Sequence, residues 1–354
     1  MNAAFARFLS ASADDRRDAF VGAAQRLGTA AQNVEKDFWV CWTLDALFNG
    51  KASDGPRLLF KGGTSLSKAY GLITRFSEDI DITIFRDDLN QAASVEELEA
   101  LSSKKRRARL DSIKSASQAY VNGDMLDQVV DHLRITMNDA GLDPASARVE
   151  ADRDDQDDQS LLVWYPAVTG ATDSYVRPAV KIESGAKSAL DPNRTTKIQP
   201  YVSAELTELD LTVSNITTVV PERTFWDKVV ILHGLRQWFQ RRGVLKGGGQ
   251  RVSRHYYDLY SLLSSEIGPQ AQADVELGMD CVRHARMFFN SPDLNLSAAN
   301  AGTFTLSPTP EMSSSLQRDY NAMAGMIFGT APDYQLIINR ILELESVLNS
   351  TTGR

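Results

Sequence analysis

The sequence predicts an α+β fold: a small mixed sheet flanked by helices, with helices at the N-terminus and a helical lobe at the C-terminus. Apolar residues recur at helical spacing in the first fifty residues and again after Pro221, whereas alternating, strand-like segments are confined to the middle of the 354-residue chain. Such segregation is typical of α+β proteins. The chain is long enough for two lobes, and we predict a core, residues 1–218, followed by a helical lobe, residues 219–354.

The N-terminal fifty residues are predicted to form helices that pack one face against the core. Spacings of three and four residues separate five apolar side chains, Val34, Phe38, Cys41, Leu44 and Phe48. The chain has only one other cysteine, Cys281, so no disulfide framework is expected. Both cysteines are interpreted as small core residues.

A glycine turn follows the first predicted strand. Leu58-Leu59-Phe60 is a short apolar run, and Gly62-Gly63 is a turn signal before a helical pattern. Thr64 and Ser65 suit the N-cap of that helix and could each offer a hydroxyl. Backbone N–H groups at a helix start attract phosphate, and glycine allows its close approach. A Gly-Gly turn before a helix more often has only a structural role. The prediction of phosphate binding therefore depends on the residues that lie near the turn.

The strand predicted after this helix carries two carboxylates on one face. Three isoleucines, Ile80, Ile82 and Ile84, alternate with Asp79, Asp81 and Thr83, so the two aspartates point to the same side. Neighbouring carboxylates repel each other unless a cation lies between them, and Mg²⁺ prefers a few carboxylates together with substrate phosphates. We therefore predict Asp79 and Asp81 as metal ligands. The alternative is a solvated strand face.

A second strand is predicted to supply a third acid. It runs from Val176 to Ile182, and its alternation places Lys181 and Glu183 on one face. Glu183 is the candidate third carboxylate, and Lys181 could bind a triphosphate. A solvated Lys/Glu edge is the alternative. Further strands are predicted at Leu161–Tyr165 and Leu209–Val213.

These motifs resemble those of the AbiEii/AbiGii-type nucleotidyltransferase toxins, which belong to the DNA polymerase β-like nucleotidyltransferase superfamily. The resemblance rests on five stretches and extends over about residues 30 to 350: Lys61–Gly71, Arg75–Asp81, Val34–Val40, Pro221–Val229 and Arg254–Tyr260. It implies a polymerase β-like core. Relatives usually have Gly-Ser in the glycine turn, and here the second residue is Gly63, so the hydroxyl role would pass to Thr64 or Ser65.

The resemblance implies a Mg²⁺-dependent transferase, with Mn²⁺ as the alternative metal, that uses an NTP and acts as the toxin of a prokaryotic toxin–antitoxin or abortive-infection system. Some members add nucleotides to the 3′ end of tRNA. The expected partners are therefore an RNA, with tRNA as the leading candidate, and a cognate antitoxin. The matched positions are the phosphate loop at Gly62 and Gly63, the metal pair at Asp79 and Asp81, and the motif lysines Lys181 and Lys228. Glu183 falls where a strand acid is expected, and Glu222 and Asp227 are both acids near the later lysine. The general base stays open.

Two alternative functions remain open from the sequence. The same cradle could bind GTP in a non-catalytic effector that an antitoxin neutralises. A glycosyltransferase could use the Asp-X-Asp pair for a metal–nucleotide-sugar, although the glycine turn and the lysine-bearing downstream helices disfavour this assignment.

Composition narrows the class of protein. No apolar run approaches the roughly eighteen residues of a membrane span, and the N-terminus lacks an apolar secretory segment, so a cytoplasmic protein without membrane contact is expected. The net charge of −8 weakly opposes a general nucleic-acid surface. Two basic stretches, Lys104–Arg109 and Arg236–Arg254, are local candidates for RNA contact, with solvated helix ends as the alternative.

Three charged or polar groups of the helical lobe are expected to stabilise the fold: His233, His255 and the pair Arg254 and Asp258. His233 and His255 are interpreted as hydrogen-bonded helix residues. Arg254 and Asp258 stand four residues apart, which predicts an ion pair along one helix face.

Overall fold

The computed structural model describes residues 1–170 and 177–350. The chain forms two compact units. The first comprises Met1–Ala69, Phe76–Ala93 and Ser103–Val219, and the second comprises Tyr70–Arg75, Ser94–Ser102 and Val220–Arg354. The division into a core of residues 1–218 and a lobe of residues 219–354 stays a prediction, because a domain is defined by its ability to fold alone.

The helices, in chain order, are α1 (Ala4–Leu9), α2 (Ala13–Leu27), α3 (Ala31–Asn49), α4 (Gly62–Lys68), α5 (Val95–Ala100), α6 (Ser103–Tyr120), α7 (Leu126–Asp139), α8 (Pro221–Arg242), α9 (Ser253–Leu263), α10 (Ile267–Ala273), α11 (Val275–Phe288), α12 (Pro310–Met323) and α13 (Tyr334–Ser350). The strands are β1 (Leu58–Lys61), β2 (Asp79–Ile84), β3 (Arg148–Ala151), β4 (Ser160–Trp164), β5 (Ala179–Gly185), β6 (Asn193–Ile198) and β7 (Val213–Val219). Both lists cover only residues 1–170 and 177–350.

The strands form one mixed sheet in the first unit, in the order β3-β4-β5-β2-β1-β7-β6. β1 pairs antiparallel with β2, whereas β5 lies parallel to β2 on its other side. β7 is parallel to β1, and the two edge strands are antiparallel to their neighbours. The α+β class and the mixed sheet flanked by helices are therefore confirmed.

The centre of the first unit is occupied by α3. Its predicted apolar stripe is buried, and so is every other residue from Gln32 to Phe48. Because buried charge is costly unless it is paired, the charged side chains of α3 need partners. Asp45 accepts a 2.6 Å hydrogen bond from the backbone N–H of Asn2, and Glu35 accepts one of 2.7 Å from that of Val168.

Several element predictions need correction. The strand predicted at Leu209–Val213 is wrong, because β7 begins only at Val213. The polar edge strand β6 was not predicted, whereas α10, α11 and α12 lie within the predicted helical lobe but were not predicted individually. The predicted strand from Val176 to Ile182 is observed as β5 from Ala179 onward, and Val176 lies outside the described residues.

The second unit is built around α8. Pro221 occupies its first turn, and Gly243, with φ of 69°, ends it in the left-handed conformation. Trp226 is buried, donates its indole N–H to the Ala271 oxygen at 2.8 Å, and packs against Gly278. Trp226 is therefore a core residue of the second unit. Within the described ranges no helix combines the length and the apolar character needed to span a membrane.

Candidate active site

The first part of the site is β2, which places Asp79 and Asp81 on one face of the sheet. Its neighbour β1 runs antiparallel, with Lys61 opposite Asp81. The intervening Ile80 and Ile82 point to the other face and are buried, whereas both aspartates are half-buried. The two carboxylates therefore share a face, as their spacing predicts.

The glycine turn meets the same two carboxylates from the end of β1. Gly62 has φ of +78°, a conformation that favours glycine. A Cβ added to Gly62 would lie 2.7 Å from Cγ of Asp81 and would overlap its Oδ2. Glycine is therefore required here for two separate reasons, the backbone conformation and the space occupied by Asp81.

The hydroxyl groups of the turn are used inside the structure. Thr64 Oγ1 donates to the backbone oxygen of Asp79 and lies 2.9 Å from Oγ of Ser77. Ser65 Oγ donates to the Gly62 oxygen at 2.9 Å, and both side chains are buried. The N-cap of α4 is Lys61, so the prediction that Thr64 or Ser65 begins this helix is wrong. The Ser65 hydroxyl therefore bonds within the turn, and the Thr64 hydroxyl bonds the turn to β2.

The second part of the site is β5, which extends the face that carries the aspartates. The parallel register places Lys181 opposite Asp79 and Glu183 opposite Asp81. Directly opposite residues of neighbouring strands point to the same side of a sheet. The structure therefore brings four of the predicted site residues together on one face.

Lys181 is held between two carboxylates on that face. Its Nζ lies 3.1 Å from Oε1 of Glu183 and 3.1 Å from Oδ2 of Asp152. Burial lowers the pKa of Lys181, but the two carboxylates raise it by more, so it lies above its ordinary value and the ammonium is charged. Asp152 is not among the residues predicted for the site, because in the sequence it is one of five aspartates in residues 152–158 and nothing local distinguishes it.

The residues present fit a divalent metal whose coordination is completed by oxygens of the substrate. Asp79 and Asp81 offer carboxylate oxygens on one face, and the missing Cβ of Gly62 lets the turn lie directly against the Asp81 carboxylate. Mg²⁺ is commonly bound by one or two carboxylates together with substrate phosphates. Outside residues 171–176 and 351–354, no group of three His, Cys, Asp or Glu side chains could hold a metal. The protein contribution is thus a pair of carboxylates, with Glu183 bonded to Lys181.

Buried ion pairs connect α3 to both segments of the site. Lys36 Nζ lies 2.5 Å from Oε2 of Glu78, the residue before Asp79. Lys68, in α4, lies 2.8 Å from Oδ1 of Asp37. Burial opposes the charge of Lys68, but Asp37 outweighs it and raises the pKa of Lys68. These pairs hold the glycine turn and β2 against the central helix. The sequence gives no local sign of them because the partners are far apart along the chain.

Lys228 lies in the second unit, in α8, and is almost fully buried. Its Nζ contacts Oδ2 of Asp258 at 2.8 Å. Asp258 also accepts two hydrogen bonds from Arg75, at 2.7 and 2.9 Å. Burial raises the pKa of Asp258, but Arg75 and Lys228 lower it by more, so it lies well below its usual range. Asp258 is therefore a carboxylate shared by two cations.

This arrangement corrects the prediction for α9. Asp258 is paired with Arg75 and Lys228, and the predicted ion pair with Arg254 is absent from the ion pairs of the described residues. His255 Nδ1 lies 3.1 Å from the Lys228 ammonium and accepts its proton in a hydrogen bond. Burial, Lys228 and Arg254 together hold the pKa of His255 well below its ordinary value. His255 is thus a neutral, hydrogen-bonded residue, as interpreted from the sequence.

The two basic stretches lie on helices of different units. Lys104–Arg109 forms the first turns of α6. In the other stretch, Arg242 and Lys246 lie 5.7 and 5.8 Å from the ring centre of Trp238, near the end of α8. Arg242 also pairs with Asp293 at 2.6 Å. Cations near a helix C-terminus are stabilising in themselves, so their position does not require an RNA partner.

Comparison with known proteins gives a match to a family model and a match to solved structures. The profile of the family described as nucleotidyl transferase AbiEii toxin, type IV TA system, matches residues 45–347. The chain is also similar to the solved structure of MenT4, a nucleotidyltransferase toxin from Mycobacterium tuberculosis H37Rv, with 15% sequence identity and a TM-score of 0.44 over 94% of this chain and 98% of that chain. No curated protein matches the sequence.

Proposed function

Because the chain belongs to the AbiEii family of nucleotidyltransferase toxins of type IV toxin–antitoxin systems, we propose that it transfers a nucleoside monophosphate from an NTP to an RNA acceptor, first of all the 3′ end of tRNA. The observation that carries this proposal is the common face of β2 and β5. There Asp79, Asp81 and Lys181 lie on one face, and the Asp81 carboxylate lies directly against the backbone of the glycine turn.

Asp79 and Asp81 are the residues that would hold Mg²⁺, or Mn²⁺ in its place. A bound divalent ion would supply positive charge to the phosphates and to the leaving pyrophosphate. The two aspartates contribute negative charge on one strand face, which favours a cation there. Metal binding by this pair accounts for two half-buried carboxylates side by side on β2.

The turn from Gly62 to Ser65 is proposed to hold the β- and γ-phosphates. Since the hydroxyls of Thr64 and Ser65 are used internally, these contacts would come from backbone N–H groups. Gly62 and Gly63 allow phosphate oxygens to approach the backbone closely. Lys181, with its raised pKa, would neutralise triphosphate charge. Lys228 enters the proposal through the family motif that it matches.

Glu183 is proposed to accept the proton of the attacking hydroxyl. Its side chain is the most exposed of the three in the Lys181 cluster, at 41%, so an acceptor can reach it. The RNA 3′-hydroxyl would lose its proton to Glu183, form the new bond to the α-phosphorus, and displace pyrophosphate. The cognate antitoxin is the proposed partner, and the reaction is proposed to take place in the cytoplasm.

The test measures transfer of label from each α-labelled NTP to total tRNA in the presence of Mg²⁺. Asp79→Asn and Asp81→Asn keep the size of each side chain and remove its charge. We expect each to lower the rate on the order of a hundred- to a thousandfold. The matched control is Asp139→Asn, which removes one charge from an exposed position on α7 and should transfer label at the wild-type rate.

Two results would contradict the proposal in different ways. NTP binding without transfer to any RNA would favour the non-catalytic GTP-binding effector. Transfer that survives in folded Asp79→Asn and Asp81→Asn would show that these carboxylates do not hold the metal.

A further inference from the structure

Asp152 uses its two carboxylate oxygens for different purposes. Oδ1 accepts a 3.1 Å hydrogen bond from the backbone N–H of Asp154, which closes the turn after β3. Oδ2 lies 3.1 Å from Nζ of Lys181. The side chain is only 9% exposed, and the Asp152 backbone N–H bonds to the Ser160 oxygen at 2.9 Å. Asp152 is therefore a fixed anchor at the end of the edge strand β3, which β4 separates from β5.

Lys181 needs such an anchor because of where it stands in the sheet. The register places it directly opposite Asp79, with Asp81 two residues further along the same face. Opposite side chains in neighbouring strands have Cβ atoms about 5 Å apart. A lysine has a long, flexible stem with a compact charge at its tip. Without another partner, its ammonium would be drawn to the two aspartates and would compete with a metal for their oxygens.

We propose that Asp152 is a positioning residue that holds Lys181 away from Asp79 and Asp81 and presents its ammonium to the triphosphate of the NTP. This inference rests on the proposed function of the β2–β5 face. Asp152 touches neither metal nor substrate in this scheme and acts through Lys181.

The exposure of the two carboxylates indicates which of them stays with Lys181 when the NTP binds. Glu183 is 41% exposed and Asp152 only 9%. The more exposed carboxylate is rehydrated at lower cost when it separates from an ammonium. A triphosphate oxygen therefore replaces Glu183 at Lys181, while Asp152 keeps its contact. The exchange leaves Glu183 free for the acceptor hydroxyl.

The test compares Asp152→Asn with Asp154→Asn in the full-length chain. Asp152→Asn can keep the turn hydrogen bond through Oδ1 but removes the charge that faces Lys181. Asp154→Asn makes the same charge change at an exposed position two residues away. For Asp152→Asn we expect the KM for the NTP, and the dissociation constant of the NTP in equilibrium dialysis, to rise about tenfold, with kcat changed less than about threefold. Asp154→Asn should leave all three values unchanged.

A double variant separates positioning from a general structural effect. If Asp152 acts through Lys181, adding Asp152→Asn to Lys181→Met should change the KM no further. Equal KM values for Asp152→Asn and Asp154→Asn, or a full additional increase in the Lys181→Met background, would overturn the inference. A wild type that transfers no nucleotide contradicts only the proposed function. The dialysis comparison still decides the role of Asp152 in that case.

Discussion

The backbone of Gly62 lies against the carboxylate of Asp81, so neither residue can change without affecting the other. Gly62 is held at φ of +78° at the point where β1 becomes α4. The closeness of the turn to β2 is reinforced by the hydrogen bond from Thr64 to the Asp79 oxygen. The glycine turn and the aspartate pair are thus one connected structure, and a small change in the turn should displace the Asp81 carboxylate.

Gly62→Ala is expected to abolish nucleotide transfer and to lower stability. The added Cβ overlaps Asp81, and the backbone conformation costs a non-glycine residue about 1–2 kcal/mol. Gly141→Ala is the matched control, because Gly141 has φ of +68° with nothing within 4 Å of an added Cβ. In thermal denaturation Gly141→Ala should lose only the part of the stability that comes from the backbone conformation, and it should keep its activity. Equal activity of the two variants would contradict the steric argument.

At the scale of a single element, α9 shows how a helix can be fixed by partners from elsewhere in the chain. Asp258 receives two hydrogen bonds from Arg75 and one from Lys228. His255, one turn earlier, accepts a hydrogen bond from the same lysine. Removal of one partner from such a buried pair leaves an unpaired charge, which is far more costly than the loss of a surface ion pair.

The stability of the protein should fall on mild acidification, in part because of His255. Burial, Lys228 and Arg254 keep the pKa of His255 well below its ordinary value. The unfolded chain therefore binds a proton near pH 6.5 that the folded chain does not bind. This contribution to stability is complete above about pH 7 and is lost as the pH falls through 6.5 toward the lowered pKa.

Thermal denaturation at about pH 7.5 and about pH 5.5 checks this expectation. His255→Asn keeps an acceptor for Lys228 but cannot be protonated, so its melting temperature should fall less between the two pH values than that of the wild type. An equal fall in both proteins would show that other groups account for the acid sensitivity.

Local patterns predicted the elements that depend on local sequence. The alternation of isoleucines and aspartates predicted β2 and the face shared by its carboxylates, and Pro221 marked the start of α8. The partner of Asp258 was predicted wrongly, because Arg75 is 183 positions away and the nearby Arg254 satisfied the spacing rule. The edge strand β6 lacks an apolar face and was missed for that reason. Asp152 was hidden within a run of acidic residues.

At the scale of the whole molecule, the first unit is built around α3, a helix that is buried from Gln32 to Phe48. α3 carries Lys36 and Asp37 into the interior, where Lys36 pairs with Glu78, the residue before β2, and Asp37 pairs with Lys68, the last residue of α4. For the proposed RNA acceptor, the net charge of −8 favours binding through local basic surfaces, and such binding should weaken as salt increases. Catalytic geometry and overall stability are thus linked through the same buried ion pairs.

Expression of the wild-type chain in a bacterial host should arrest growth, whereas Asp81→Asn should not at an equal level of folded protein. The reason is that Asp81 is one of the two proposed metal ligands and lies in contact with the glycine turn. Colony formation after induction, with protein levels measured by immunoblot, checks this expectation. Asp139→Asn should be as toxic as the wild type. Toxicity of Asp81→Asn would point to growth arrest without catalysis.

The tight fit between Gly62 and Asp81 has a genetic consequence. Cells that survive induction of a toxin are enriched for mutations that inactivate it, and most coding positions tolerate many replacements. Every residue other than glycine places a Cβ at position 62, where it overlaps Asp81, and almost every base change in the first two positions of a glycine codon replaces the amino acid. Selection for survivors should therefore return substitutions at Gly62 far more often than at glycines with open surroundings, such as Gly141.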